Sequence, residues 1–326
     1  MSRINILALI LKHHKFKLFL LFLTLLVLFN SLLYTQFFTV FDVIPQNKVF
    51  SNLVFDTNRN STSVNCTFHT IDSSSRLHYP DTNVPDDLNS WAKNLNITAG
   101  EWKPHDCVAL FYVAIVIPYR NREEHLKIFL YNIHPFLQNQ NIHYRIYVIE
   151  QSDPLNFNRG KLFNIGFVEA LKDHPYPCFI FHDIDLLPQN YDNIYACTRY
   201  PRHMSSSIDK FRYQVPYDRN FGGVVAILSE QFRLVNGFAN SFYGWGGEDD
   251  DFFNRVRISG LRVSRFAQEV SRYASLPHQQ AEPADDRVDK LNRGIYSYSK
   301  DGLNSLRYLV ASKIFNITHV HISVYT

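Results

Sequence analysis

Between Phe111 and Pro188 the apolar residues are arranged as strand, helix, strand, helix, strand, and no other feature limits the possible folds so strongly. In FYVAIVIPYRNREEHLKIFLYNIHPFL the run from Phe111 to Ile117 reads as a buried strand. A turn is expected at Pro118, then a helix with apolar residues at helical spacing. YRIYVIEQ reads as a second strand. NRGKLFNIGFVEALKD reads as an amphipathic helix with Leu162, Ile165, Val168 and Leu171 on one face. CFIFHDIDLLP reads as a third strand, and it ends in charge. This is the pattern of a doubly wound α/β sheet, in which ligands bind beyond the carboxyl ends of the strands. Three polar clusters fall at those ends: PYRNR, SDPLNFNRG and HDIDLLP. The chain has neither a GxGxxG nor a GxxxxGK[ST] loop, which argues against dinucleotide and P-loop sites.

The N-terminus sets a second constraint. From Leu18 to Val40 the run LFLLFLTLLVLFNSLLYTQFFTV is almost wholly apolar, and about 20 such residues cross a bilayer as a helix. A cleaved signal peptide has a shorter apolar core and a small-residue cleavage site. Arg3, Lys12, Lys15 and Lys17 precede the run and the next basic residue is Lys48, so the tail is expected in the cytosol and the bulk on the lumenal side. Asn-x-Ser/Thr sequons at Asn60, Asn65, Asn96 and Asn316 all lie on that side. Four cysteines, Cys66, Cys107, Cys178 and Cys197, suggest two disulfides in an oxidising compartment, with three connectivities open. A CxxC metal pattern is absent. Residues 1–17 then form a cytosolic tail and 18–40 a membrane anchor. Residues 41–105, rich in Asn, Ser, Thr and Asp, form a stem and the start of the folded region, since Trp91 and Trp102 favour burial. Residues 106–326 form the catalytic domain. With 33 basic and 30 acidic residues, and no zinc-finger spacing, basic helix or internal repeat, nothing points to nucleic acid.

The clusters suggest a chemistry. Asp183 and Asp185 are two residues apart, so on a strand they would share one face and together hold a divalent cation. Arg120, Arg122 and Arg159 are expected near the same sheet edge, where guanidinium groups pair with phosphate oxygens. The combination implies a nucleotide diphosphate with a divalent metal. In YGWGGEDDDFFNRVR, Gly244, Gly246 and Gly247 permit a mobile segment in which Trp245 covers a ligand. The acids that follow suit sugar hydroxyls, and one of them suits a base. They also suit a helix N-terminus, so Asp249 to Asp251 are expected to begin a helix while the first acids face the site.

The chain resembles the animal β-1,4-galactosyltransferases, a family of type II Golgi membrane enzymes. VAIVIPYRNREEHL, FNRGKLFNIGF, FHDIDLLP, FGGVVAILSEQF, NGFANSFYGWGGEDDDFFNR and DGLNSL are similar to its signature blocks, in family order, from about Cys107 to Asn304. The resemblance implies a nucleotide-sugar transferase fold of the GT-A type, a Rossmann-like mixed sheet flanked by helices. It implies a UDP-sugar donor, Mn2+ or another divalent cation, and a terminal N-acetylglucosamine acceptor on glycoprotein or glycolipid. Pro118, Tyr119, Arg120, Asn121 and Arg122 would bind the UDP part, with Phe157, Asn158 and Arg159. Asp183 would lie beside the donor sugar and ribose, with Ile184 and Gly222 in the same pocket. Asp185 and His278 would ligate the metal. Trp245 would sit on a loop closing over the donor. Gly247, Glu248, Asp249 and Asp250 would contact the acceptor, with Asp249 as the base, Glu248 also reaching the donor sugar, and Arg287 at the acceptor N-acetyl group. The disulfides would join Cys66 with Cys107 and Cys178 with Cys197.

The departures matter as much. Where the family usually has methionine three residues before the metal-binding histidine, this chain has Ser275, a hydroxyl that suits a harder ion than a thioether does. Where galactose users typically have tyrosine, this chain has Asn220, which leaves room at the donor 2-position and offers an amide to an N-acetyl group. UDP-galactose is thus one expected donor and UDP-N-acetylgalactosamine the alternative. Val288 replaces the aromatic often found after Arg287. A non-catalytic glycan-binding protein of the same fold would be expected to lack the acids, yet Asp183, Asp185, Glu248 and Asp249 are present. A nucleotide-sugar hydrolase is a further rival, which transfer to an acceptor would exclude.

Overall fold

A computed structural model describes residues 14–30, 41–55, 64–67 and 77–326. Residues 14–30 form helix α1, within a unit that ends at Phe41. Among the described residues no helix is long and apolar enough to cross a membrane, and residues 31–40 of the apolar run lie outside them.

The second unit, Asp42–Thr326, begins earlier than its composition suggests, because Ile44, Val49 and Leu53 already belong to the hydrophobic core. Its elements follow in order: strand β1 (Phe41–Ile44), helix α2 (Leu88–Asn94), β2 (Glu101–Trp102), β3 (Tyr112–Tyr119), α3 (Glu123–Asn139), β4 (His143–Gln151), α4 (Arg159–Asp173) and β5 (Cys178–His182). Then come β6 (Leu186–Pro188), β7 (Arg202–His203), β8 (Ser207–Ile208), β9 (Val224–Leu228), α5 (Ser229–Leu234) and α6 (Glu248–Ile258). The last are β10 (Val263–Phe266), β11 (Arg272–Ser275), α7 (Arg287–Ser297), β12 (Leu309–Phe315) and β13 (Val320–Tyr325).

One mixed sheet runs in the order β1-β10-β7-β9-β5-β3-β4-β13-β12, with β2 beside β4. Strands β5, β3, β4 and β13 are parallel, and β9 pairs antiparallel with β5. The β3-α3-β4-α4-β5 alternation is therefore as the apolar pattern implies. Three details differ. Strand β3 runs through Pro118 to Tyr119 instead of turning there. Its pairing with β5 stops at Val116, while pairing with β4 continues to Tyr119, so Pro118 lies where only one neighbour remains. Helix α4 is buried almost all round, and Val168 and Leu171 of the expected apolar face are among its less buried residues. The sheet takes one side, where Gly166 sits so close that a Cβ would lie 2.2 Å from a Val116 methyl. Phe163 and Phe167 meet Phe238 and Phe232 at 5.2 and 4.7 Å on another.

The third difference places the site. The expected third strand breaks after His182, and Asp183 to Asp185 turn the chain into β6. That strand belongs to a separate small sheet, ordered β6-β11-β8. Disulfides join Cys66 to Cys107 and Cys178 to Cys197, the pairing the resemblance implies.

Candidate active site

Residues 183–185 form a turn, not a strand, so the two carboxylates do not share a strand face, and each has its own partner. Asp183 Oδ1 accepts from Arg159 Nε at 2.6 Å. Asp185 Oδ2 lies 3.0 Å from His278 Nε2. The small sheet brings these last two together: β11 pairs antiparallel with β6, setting Ser275 opposite Leu186, and the chain continues to His278. The Leu276 amide donates to the Asp185 carbonyl at 2.8 Å and fixes that crossing. A carboxylate oxygen and an imidazole nitrogen this close together are donor types that fit a divalent cation of intermediate hardness. Among the described residues no group of three or more His, Cys, Asp or Glu side chains that could hold a metal ion converges. Lys210 Nζ, 3.9 Å from Asp185 Oδ2, adds a cation that the motifs did not reveal. The Ser275 amide donates to Asp209 Oδ1 at 2.9 Å.

The arginines divide their work. Arg122, just ahead of α3, places Nη2 3.3 Å from His278 Nδ1. Arg120 donates to the Leu155 carbonyl at 2.6 Å and lies over the Phe157 ring, so the PYRNR and SDPLNFNRG clusters do meet. Between them Asn121 adopts a φ of 51°. Arg159 is engaged by three neighbours. Its guanidinium is shared among Asp183, the Gly223 carbonyl at 3.1 Å and Glu248 Oε1 at 3.4 Å. Asn158 is a fully buried cap of α4, accepting from the Lys161 amide and donating to the Asn240 carbonyl, and so acts on the scaffold. Ile184 is core, whereas Pro118 and Tyr119 end β3 beside this edge.

The four consecutive acids open α6, one residue earlier than expected, with Gly247 as the preceding residue at φ 92°. Successive helical residues point about 100° apart, so the four carboxylates have four surroundings. Glu248 faces Arg159, and its Oε2 is buried without a partner. Asp249 lies against Gly222, where a Cβ would meet its Oδ2 at 2.5 Å. Asp250 accepts from the Tyr217 hydroxyl at 3.0 Å. Asp251 is buried and paired with Arg255 at 2.5 Å, which makes it a structural ion pair. The helix dipole favours all four at this end. Burial, then the Asp249 charge, push the Glu248 carboxyl up to about 7, although Arg159 opposes them. Burial and Asp249 likewise push Asp250 up to about 6, against the Tyr217 hydrogen bond.

Trp245 is 47% exposed, flanked by Gly244 and Gly246 at φ 90° and 104°, a region that favours glycine. Its carbonyl accepts from the Ala284 amide at 3.0 Å. Arg287, the first residue of α7, runs alongside Gly246, and Val288 is exposed. Asn220 lies two residues before Gly222 on an irregular loop. Of the sequons, Asn65 and Asn96 are exposed, Asn316 is part-buried in the β12–β13 turn, and Asn60 lies outside the described residues.

A mixed α/β sheet with an Asp–His pair and a carboxylate cluster beyond its strand ends defines a GT-A-like glycosyltransferase fold. Drosophila β-1,4-galactosyltransferase 7 in complex with xylobiose has the same fold, with a TM-score of 0.56 and 27% identity over 66% of this chain and 94% of that one. So does its mutant in complex with manganese, UDP-Gal and xylobiose, with a TM-score of 0.57, 26% identity and the same coverage. Residues 52–198 match the N-terminal region of glycosyl transferase group 7, and residues 202–279 match a family model described as the N-terminal domain of galactosyltransferase. The chain is 48% identical over 233 residues to β-1,4-galactosyltransferase 1 of Homo sapiens, covering 70% of this chain and 58% of the relative. It is 47% identical over 215 residues to β-1,4-galactosyltransferase 6 of Rattus norvegicus, covering 64% and 55%. The chain belongs to the β-1,4-galactosyltransferase family, and it spans little more than half the length of these relatives.

Proposed function

We propose that this protein is a metal-dependent, inverting glycosyltransferase that moves galactose from UDP-galactose to the 4-hydroxyl of a terminal β-N-acetylglucosamine on a glycoconjugate. The observation that carries this reading is the joining of two half-sites: Arg159 links Asp183, beside the Asp185–His278 pair, to Glu248 at the head of the acid cluster.

Asp185 and His278 would hold the cation, which supplies charge neutralisation at the leaving diphosphate. Arg120 and Arg122 border the same edge and suit the UDP moiety. Asp249, as the base, takes the proton of the acceptor 4-hydroxyl while that oxygen attacks the anomeric carbon opposite UDP. The bond to the diphosphate oxygen breaks, its electron pair leaves with UDP, and an α-linked donor gives a β-linked product. Glu248, titrating near neutrality with one buried oxygen free, suits a hydrogen bond to a sugar hydroxyl. The Trp245 segment, with its three glycines, is suited to closing over the donor and limiting hydrolysis.

Asn220 favours a second reading, transfer of N-acetylgalactosamine from UDP-N-acetylgalactosamine, because a small side chain leaves room for the donor N-acetyl group. A competition decides between them. The lumenal part is supplied with Mn2+, a β-N-acetylglucosaminide and equal amounts of both donors, and the products are weighed by mass spectrometry. A hexose product supports the first reading and an N-acetylhexosamine product the second. If Asn220 is the gate, Asn220→Tyr moves the product ratio toward galactose, and an unchanged ratio removes that role. No product with either donor overturns the enzymatic reading.

The Leu18–Val40 run and the basic residues before it also support a single-pass type II orientation in the Golgi membrane, with residues 41–326 lumenal. Microscopy of the tagged full chain against a Golgi marker tests this.

A further inference from the structure

Two buried side chains outside the acid cluster hold the loop that carries Asn220. Arg265 on β10 is 2% exposed and His203 on β7 is fully buried. Their strands are parallel neighbours, paired one residue earlier at Ser264 and Arg202. Arg265 Nη2 donates to the Asn220 carbonyl at 2.6 Å and to the Asp218 carbonyl at 3.0 Å. Arg265 Nε donates to His203 Nδ1 at 3.1 Å. The opposite ring nitrogen, Nε2, lies 2.9 Å from the Gly222 carbonyl. With Nδ1 occupied as an acceptor, the neutral ring carries its proton on Nε2 and donates it to Gly222. Burial, and then the Arg265 charge, keep the ring neutral. Three alternate carbonyls, of residues 218, 220 and 222, are therefore gripped by one connected pair.

The gripped loop has no helix or strand of its own between 212 and 223, yet it reaches both halves of the site. Tyr217 donates to Asp250, and Gly222 abuts Asp249. Ser205 Oγ donates to the Gly222 carbonyl as well, at 3.2 Å, so that end has a second support. At the Asp218 and Asn220 carbonyls the support comes from Arg265.

We propose that Arg265 and His203 are positioning residues that fix the Tyr217–Gly222 loop between donor and acceptor and thereby set donor discrimination. The proposal rests on the transferase reading above. A guanidinium spans two carbonyls and an imidazole at once, which an ammonium at the same depth does not.

The test uses Arg265→Lys, which keeps the charge and loses the fork, and His203→Asn, which keeps an acceptor for Arg265 and withdraws the donor from Gly222. Each folded variant is treated with trypsin under native conditions, and cleavage after the exposed Arg212 and Arg219 is timed by mass spectrometry. UDP affinity is measured by calorimetry, and the donor competition is repeated. Arg265→Lys is expected to be nicked at least tenfold faster, and His203→Asn at least threefold faster. UDP affinity stays within twofold, and the ratio of the two transferred sugars moves at least threefold. If Arg265→Lys does not fold, His203→Asn decides alone. Wild-type nicking with an unchanged sugar ratio in a folded variant overturns the proposal. If the wild-type chain transfers neither sugar, the transferase reading fails by itself, and the nicking rates still decide whether the pair holds the loop.

Discussion

Four adjacent carboxylates become four different groups once a helix begins at the first of them. Glu248 shows the consequence for stability. Its folded pKa of about 7 lies above the ordinary glutamate value, so folding binds a proton between roughly pH 4.5 and 7. The contribution to stability is complete below the lower value and is lost as pH rises through the upper one. Glu248→Gln removes that loss. The variant should be more stable than wild type at pH 8, by about 1–3 kcal/mol, with the gap closing toward pH 5. Denaturant melts at the two pH values check this, and equal stability at pH 8 would contradict the buried, strained state of this carboxylate. Asp249→Asn probes chemistry instead. It should lower kcat about 100-fold or more while leaving UDP affinity unchanged, and undiminished turnover would remove Asp249 as base. The acids and the Asp183/Asp185 pair were legible because they form dense local clusters of charge beside apolar runs, and His278 was legible only through the family resemblance. Arg265, His203, Tyr217 and Lys210 were not. Forty-five residues separate Arg265 from Asn220, and only the sheet order brings them together.

At the scale of elements, the apolar runs revealed the β3-α3-β4-α4-β5 order because each run keeps one periodicity for its length. What escaped was anything decided by a neighbour. Pro118 stays in β3 because β5 has already parted from it, and α4 is buried all round because Phe232 and Phe238 cover what the sheet does not. The packing of α6 on α7 is another such case. Gly294 stands in α7, where alanine would ordinarily favour the helix by about 1 kcal/mol. Here a Cβ would meet Asp251 Oδ1 at 2.0 Å, and Asp251 is held by its buried pair with Arg255. Gly294→Ala should therefore destabilise the protein, by about 1–3 kcal/mol. An unchanged or raised melting temperature would mean that Asp251 moves without breaking its pair.

At the scale of the whole molecule, the main sheet supplies one edge of the site and the small sheet supplies the other. Asp185 ends the crossing from β5, and His278 follows β11, so two segments 93 residues apart face each other across a 3.0 Å gap. The β6–β11 pairing and the Leu276–Asp185 hydrogen bond hold them there. A cation held by both would bind the folded chain and not the unfolded one. It should then raise stability by RT ln(1 + [Mn2+]/Kd), about 2.7 kcal/mol at a hundredfold excess over Kd. Calorimetric melts of residues 41–326 with and without Mn2+ measure this independently of any sugar transfer. Asp185→Ala should abolish the rise and His278→Ala should reduce it. A rise that persists in Asp185→Ala would place the cation elsewhere. The size of the wild-type rise also bears on Ser275. Restoring the thioether with Ser275→Met should enlarge the rise with Mn2+ if this position contributes to the metal, and should leave it unchanged if water and diphosphate oxygens complete the shell.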